Sequence, residues 1–264
     1  MKGVVLAGGT GSRLHPLTRV TNKHLLPVYD KPMIYYPVRT LVEAGIRDIL
    51  IVTGGNNAGD FVRLMRNGRD FGLEHLNFAY QEGSGGIADA LRLARSFVGD
   101  DSVCVILGDN ILEGSIAGAR QNFEQQMDGA RILLKEVSDP QRFGVPAFAG
   151  GRITRIEEKP QHPQSSYAVI GVYFYDVTVF DRIGALAPSG RNEYEITDVN
   201  NSYLADGKLS HEVIHGWWTD AGTFESLWHA SDLARAQSLQ QGQAANANVR
   251  QAGAAAASES EDEQ

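Results

Sequence analysis

Hydrophobicity along the chain alternates between two periods. Apolar runs of strand length at residues 3–7, 48–53, 77–81 and 102–107 are separated, up to residue 128, by segments of helical period. In one of these Ile87, Leu91, Ala94 and Val98 fall at offsets of 0, 4, 7 and 11, which turns one face of a helix toward a sheet. Such βαβ repetition predicts an α/β fold: a single, mostly parallel mixed sheet with helices on both faces and ligands outside the carboxyl ends of its strands. After residue 130 the pattern becomes strand-rich, at 130–136, 152–158 and 167–175, and no linker separates this half as an independent unit. From Gly242 onward Gln, Ala, Asn and Gly lead into Ser258-Glu259-Ser260-Glu261-Asp262-Glu263-Gln264. That composition has too little apolar surface to offset its ordering entropy, so 242–264 reads as a disordered acidic tail.

Composition narrows the function classes. A chain of 264 residues with 42% apolar residues can bury a sizeable core, as one large domain or two smaller ones. With 24 Lys plus Arg against 32 Asp plus Glu, a nucleic-acid or anionic-membrane surface is not expected. The one cysteine, Cys104, lies inside the apolar run Val103-Cys104-Val105-Ile106-Leu107, the setting of a buried inert thiol. A strand begins at once at the N-terminus, with no long apolar leader and no stretch of about 18 apolar residues after it, so a cytoplasmic protein is expected.

Candidate chemistry concentrates at the first strand end. Gly3-Val4-Val5-Leu6-Ala7 runs into Gly8-Gly9-Thr10-Gly11-Ser12-Arg13, and Asn22-Lys23-His24-Leu25-Leu26-Pro27 follows. Glycines let backbone N–H groups approach a polyanion, and Arg13 and Lys23 add two cations, so the ligand is negative. Neither common phosphate-loop template fits. Walker A needs Gly-Lys-Ser/Thr after four spacers, whereas Gly3 leads to Gly8-Gly9-Thr10. The dinucleotide fingerprint needs a small residue where Leu14 stands, and Pro16 interrupts the helix that would cap a pyrophosphate.

The loop resembles that of the sugar-nucleotidyltransferase family, and within it the thymidylyltransferase branch. The likeness rests on Leu6 to Leu14, Asn22-Lys23, Leu25-Leu26-Pro27 and Asp30-Lys31-Pro32-Met33-Ile34-Tyr35-Tyr36-Pro37. It continues, in order, through Leu107-Gly108-Asp109-Asn110, Arg142-Phe143-Gly144-Val145, Glu157-Glu158-Lys159-Pro160, Tyr167-Ala168-Val169, Gly171 to Asp176, Glu195-Ile196-Thr197-Asp198 and Asp220-Ala221-Gly222-Thr223. The resemblance implies a Rossmann-like nucleotidyltransferase domain over 1–241. Its nucleotide-binding part would span about 1–128, its sugar-binding part about 129–223 and a C-terminal helix about 224–241. Longer relatives continue with a helical segment at a regulatory site, which this chain is expected to lack.

The implied reaction is attack by a sugar 1-phosphate oxygen on the α-phosphorus of a nucleoside triphosphate, expelling pyrophosphate. The attacking group is already an anion with a second pKa of about 6, so catalysis reduces to positioning and charge neutralisation. On the resemblance, Arg13 and Lys23 are catalytic, Arg13 at the leaving phosphates and Lys23 at the α-phosphate. Leu6, Gly8, Gly9, Thr10, Gly11, Ser12, Arg13, Gln81, Gly86 and Asp109 take the nucleotide. Asn110, Gly144, Glu158, Lys159, Val169 and Tyr173 take the sugar phosphate. Asp109 and Asp220 hold Mg²⁺, a hard ion content with one or two carboxylates, phosphate oxygens and waters. The remaining histidines, His15, His75, His162, His211, His215 and His229, are scattered and carry no role.

Departures from the family pattern fall at the specificity positions. Lys23-His24-Leu25 stands where relatives have Lys-Gln-Leu, Gln81 is followed by Glu82-Gly83-Ser84-Gly85-Gly86 rather than prolines, and Phe143 replaces a tyrosine. A glutamine amide can satisfy a pyrimidine edge with one donor and one acceptor, so dTTP is favoured, with UTP or CTP as alternatives and glucose 1-phosphate as the sugar substrate. A glycosyltransferase would show a D-x-D element, and none occurs. A silent nucleotide-sugar sensor would have no need of Arg13, Lys23, Asp109 and Asp220 together. The expected partners are the two substrates and further copies of the chain, as a dimer or tetramer.

Overall fold

A computed structural model describes residues 1–240 and Gln243; apart from Gln243, the expected tail at 242–264 lies outside the described residues. Nine strands form the main sheet. In chain order they are β1 Lys2–Ala7, β2 Asp48–Gly54, β3 His75–Gln81, β4 Val103–Leu107, β5 Ala130–Glu136, β6 Gly144–Ala149, β7 Arg152–Glu158, β8 Tyr167–Tyr175 and β9 Leu209–Val213. The helices are α1 Tyr35–Glu43, α2 Ala58–Met65, α3 Ile87–Arg92, α4 Arg95–Val98, α5 Ala117–Gln126, α6 Val179–Gly184 and α7 Ile196–Ala205, and residues 224–240 are helical as well.

The first half of the sheet is parallel, in the order β4-β1-β2-β3. Strand β8 then lies antiparallel against β4 and carries β5, to which β9 is added in parallel. The β6–β7 hairpin reaches β8 through the pair Val169 and Gly144. Alternation along the strands feeds two cores. Val4, Leu6, Leu50 and Val52 pack under α3, α6 and α7 with Leu91, Val179 and Val199. Val5, Ala7, Ile49 and Ile51 face α1, α2 and α5 through Val38, Phe61 and Phe123 on the other side. Each such buried side chain contributes about 1.5–3 kcal/mol of transfer free energy, which holds helices to both faces.

The helix expected to run from Ile87 to Val98 is two pieces. Leu93 N bonds Ala90 O and Ala94 N bonds Leu91 O, three-residue closures that tighten the turn between α3 and α4. The predicted apolar face survives the break, with Leu91, Ala94 and Val98 all buried.

Register brings the chemistry together. Ala7 pairs Thr53, Gly54 pairs Gln81 and Leu6 pairs Leu107, so β1 to β4 end in one row. The Gly8 loop, Gln81 and Asp109 leave the sheet side by side at that row. A short ribbon, Asn110–Leu112 with Trp218–Asp220, sets Asp220 opposite Asn110, and Ala221 N donates to Asp109 O at 2.9 Å. No helix among the described residues is long and apolar enough to cross a membrane.

Candidate active site

A cleft of about 430 Å³ opens over the strand ends and runs from the Gly8 loop to the β6–β7 hairpin. Of the residues expected to bind substrates, Leu6, Gly8, Gly9, Arg13, Lys23, Gln81, Gly86, Asp109, Asn110, Gly144, Glu158, Lys159, Val169, Tyr173 and Asp220 line it. Thr10, Gly11 and Ser12, expected at the nucleotide, do not. Gly11 sits at φ +64° and takes a hydrogen bond from Thr18 Oγ1 on its carbonyl, which turns the loop away into the short helix Ser12–Leu14. Thr10 and Ser12 point to solvent.

At the Gly8 end of the cleft, charge is paired crosswise. Lys23 Nζ lies 2.5 Å from Asp109 Oδ2, both side chains being 12% exposed. Burial alone would raise the Asp109 pKa, but the Lys23 ammonium and hydrogen bonds from Lys23 and Asn110 hold the carboxyl well below the usual carboxylate range. Arg142 Nη2 donates to both Asp220 oxygens, Oδ1 at 3.1 Å and Oδ2 at 3.0 Å, while its Nη1 donates to Asp139 Oδ2 at 2.8 Å. Its pKa is nevertheless raised, first by burial and then by the Asp109 charge, which outweigh Arg142, Arg13 and Lys23. Arg13 borders the same spot: a Cβ built on Gly222 would lie 3.0 Å from its guanidinium and 3.7 Å from Asp109 Oδ2.

Asp109 and Asp220 both line the cleft, near enough for the charge of the first to raise the pKa of the second, and together they are a hard oxygen donor pair. They fit a divalent cation. Another metal-capable group among the described residues, Asp48, Glu74 and His75, is exposed at the opposite end of β2 and β3 and has no part in the cleft.

His24 lies beside Asn22 and Gly108, beneath Lys23 and Asp109. It is buried, its Nδ1 sits 2.7 Å from Asn22 Oδ1, and a Cβ on Gly108 would meet its ring at 2.7 Å. Desolvation, aided by the Lys23 charge, lowers its pKa from 6.5 to about 3, so the imidazole is neutral. Burial likewise pushes the Cys104 thiol up, as expected for an inert core cysteine.

The far end of the cleft is built by β8 and α7. Val169 pairs Gly144 across strands, and Asn110 Oδ1 accepts from Gly171 N at 2.9 Å. Glu158 Oε2 accepts from Thr197 Oγ1 at 2.6 Å, and its other oxygen lies 3.4 Å from both Lys159 Nζ and Arg191. Lys159 adopts φ +46°, a conformation that costs an L-residue about 1–2 kcal/mol, as is common where function fixes the backbone. Phe143 packs edge-on against Trp218 at 5.2 Å.

Several cleft residues escaped the sequence reading. Arg142 lies in Arg142-Phe143-Gly144-Val145, a stretch that carries the family resemblance but from which no partner for the arginine can be read. Arg191, bound to Glu195 at 2.9 Å, lies in the loop Pro188-Ser189-Gly190-Arg191-Asn192, where a lone arginine in a turn-rich stretch before a helix was the available signal. Thr197, one turn into α7, carried none beyond the resemblance.

Comparison with known proteins agrees with this arrangement. The family model described as nucleotidyl transferase matches residues 2–237. A glucose-1-phosphate thymidylyltransferase of Mycolicibacterium smegmatis is 47% identical over 245 residues, covering 92% of this chain and 85% of that protein. One from Neisseria meningitidis is 46% identical over 237 residues, covering 88% and 82%. A crystal structure from Bacillus anthracis, solved with sucrose as a candidate glucose-1-phosphate thymidylyltransferase, superposes with TM-score 0.86 at 52% identity, covering 89% of this chain and 95% of that one.

Proposed function

The chain belongs to the nucleotidyl transferase family, and from that premise we propose that it condenses dTTP with glucose 1-phosphate to dTDP-glucose and pyrophosphate. One observation carries the reading: a single cleft holds Gln81 at one end, Glu158 and Lys159 at the other, and Arg13, Lys23, Asp109, Arg142 and Asp220 between them. A base, a triphosphate and a sugar phosphate need those chemistries in that order. About residues 1–128 then serve the nucleotide and 129–223 the sugar.

In the reaction an oxygen of the sugar phosphate forms a bond to the α-phosphorus while the bond from that phosphorus to the pyrophosphate oxygen breaks. Lys159 holds the incoming phosphate as a point charge, and Glu158, fixed by Thr197, accepts a sugar hydroxyl. Lys23 meets charge developing on the α-phosphoryl oxygens, and the Arg13 fork takes the departing pyrophosphate. Glu158 and Asp220 end strands and Asp109 follows one closely, so the carboxylates are pre-positioned, and positioning is where such a site gains much of its rate. Mg²⁺ held by Asp109 and Asp220 would supply further charge neutralisation at the phosphates. A homo-oligomer in the cytoplasm, where nucleoside triphosphates are abundant, is the setting we assign.

The test is a panel of nucleoside triphosphates against sugar 1-phosphates with Mg²⁺, read by pyrophosphate release. Turnover with dTTP and glucose 1-phosphate is expected. Protein that binds dTTP yet releases no pyrophosphate with any sugar 1-phosphate would overturn the assignment.

A further inference from the structure

Gln81 can turn only one side of its amide to a nucleotide. Its Nε2 donates to Asp89 Oδ2 at 3.0 Å and to Gly86 O at 3.2 Å, which occupies both amide hydrogens. Rotating the amide by half a turn would set its oxygen against two other acceptors, so this orientation alone is electrostatically satisfied. Neither acceptor can swing away. Gly86 O also receives Ala90 N at 3.2 Å as the first bond of α3, and the backbone of Gly86, at φ +97°, is hemmed in by Tyr194 O at 2.7 Å from a built Cβ. Asp89 Oδ1 is held by Arg92 at 2.6 Å, and Gly85 lacks the Cβ that would stand 2.6 Å from Asp89 Oδ2.

The carbonyl therefore faces the nucleotide end of the cleft. Gln81 is buried yet lines that cleft, and its Oε1 would be 2.7 Å from a Cβ on Gly8, so the bare glycine leaves that oxygen room. Among the described residues no hydrogen bond reaches Oε1. A fixed acceptor at the base edge distinguishes pyrimidines by the atom at N3: thymine and uracil carry N3–H, whereas cytosine has a lone pair there.

We propose that Asp89 is a positioning residue that locks the Gln81 amide carbonyl toward the base and thereby selects nucleotides with an N3–H imide edge over cytosine nucleotides. This rests on the assignment of Gln81 to the base in the proposed function. It narrows the sequence expectation, in which the amide offered a donor and an acceptor together: the donor is already spent inside the protein. The helix turn carrying Asp89 is otherwise flanked by Ala88 and Ala90, which makes alanine a tolerable replacement.

The experiment measures kcat/KM by pyrophosphate release with glucose 1-phosphate and dTTP, dUTP or dCTP, alongside calorimetric binding of the same three nucleotides. The dUTP arm separates the base edge from the thymine methyl. Wild-type protein should prefer both imide nucleotides to dCTP by about a hundredfold, the scale expected when a buried acceptor meets a lone pair. Asp89→Ala, checked for an unchanged thermal melt, should lower that preference by about tenfold because Gly86 O alone then opposes turning of the amide. Asp89→Asn has one acceptor oxygen where Asp89 uses two, for Gln81 and for Arg92, and its preference should fall between those of wild type and Asp89→Ala. Wild-type protein that takes dCTP as readily as dUTP, or folded Asp89→Ala with its preference intact, would overturn the proposal. Preference in binding without any turnover would instead count against the proposed reaction alone.

Discussion

His24 makes the stability of the fold depend on pH. Its imidazole is buried and neutral, with a pKa lowered from 6.5 to about 3 by desolvation first and the Lys23 charge second. A folded-state pKa below the unfolded one means that protons bind the unfolded chain more tightly. The stability contributed by neutral His24 is therefore intact above about pH 6.5 and declines as the pH falls from there toward 3, by about 1.36 kcal/mol per unit. Integrated from pH 7.5 to pH 5, the loss is about 2 kcal/mol. Replacing His24 by glutamine removes the titrating ring and keeps a polar amide of similar volume within reach of Asn22 Oδ1. Urea unfolding of wild type and His24→Gln at both pH values isolates this loss as a double difference, since every carboxylate common to the two proteins cancels. Wild type should lose about 2 kcal/mol more than the variant. Parallel losses, within about 0.5 kcal/mol, would show that the ring is hydrated or protonated in the folded protein and that its burial does not have the stated consequence.

Three further substitutions test the cleft itself. Asp109→Asn should lower turnover by about 10²-fold or more and weaken the magnesium response, whereas an unchanged magnesium profile would remove Asp109 from the metal site. Lys159→Gln should raise KM for the sugar 1-phosphate by about tenfold or more while leaving KM for dTTP within about twofold; equal changes in both would place the lysine elsewhere. Gly86→Ala, at φ +97° and 2.7 Å from Tyr194 O, should cost about 1–3 kcal/mol and show as a lowered melting temperature, which an unchanged melt would contradict.

Legibility from sequence followed locality. Strands at 130–136, 152–158 and 167–175 were readable to the residue because apolar runs bounded by turn residues carry their own signal. The break between α3 and α4 was not, since the apolar spacing of Ile87, Leu91, Ala94 and Val98 is the same whether the helix is continuous or tightened at Leu93. The Gly8 loop announced an anion site, yet only the folded loop, bent at Gly11, shows Gly8 and Gly9 lining the cleft and Thr10 to Ser12 outside its lining. Asp109 could be placed at a strand end. That Asp220 lies beside it depends on pairing Trp218–Asp220 with Asn110–Leu112, more than a hundred residues apart in sequence, and no local pattern encodes that. The same holds for Arg142 on Asp220 and for Asp89 on Gln81, whose roles are defined by what they touch.

The crosswise pairing has a thermodynamic consequence. Lys23 neutralises Asp109 and Arg142 neutralises Asp220, so the two carboxylates assigned to the metal are occupied by the two cations best placed to meet phosphate. A divalent ion carries the same total charge as this lysine and arginine together. Binding it alone would strip Lys23 of its one carboxylate partner and leave it largely buried without a counter-ion, a costly state, whereas Arg142 would keep its ion pair with Asp139. A triphosphate supplies the missing anion, so release of Lys23 is compensated only when nucleotide and metal arrive together. Their affinities should then be coupled by about 1–3 kcal/mol, a factor of 5–150, and reciprocally. Calorimetric titration of Mg²⁺ into protein with and without a non-hydrolysable dTTP analogue, corrected for Mg²⁺ binding to the free analogue, measures that factor. Asp220→Asn, which removes one of the exchanged charges, should reduce it. Equal Mg²⁺ affinity in the presence and absence of nucleotide would mean that the ion pairs do not compete with the metal, and that Lys23 and Arg142 keep their carboxylates throughout.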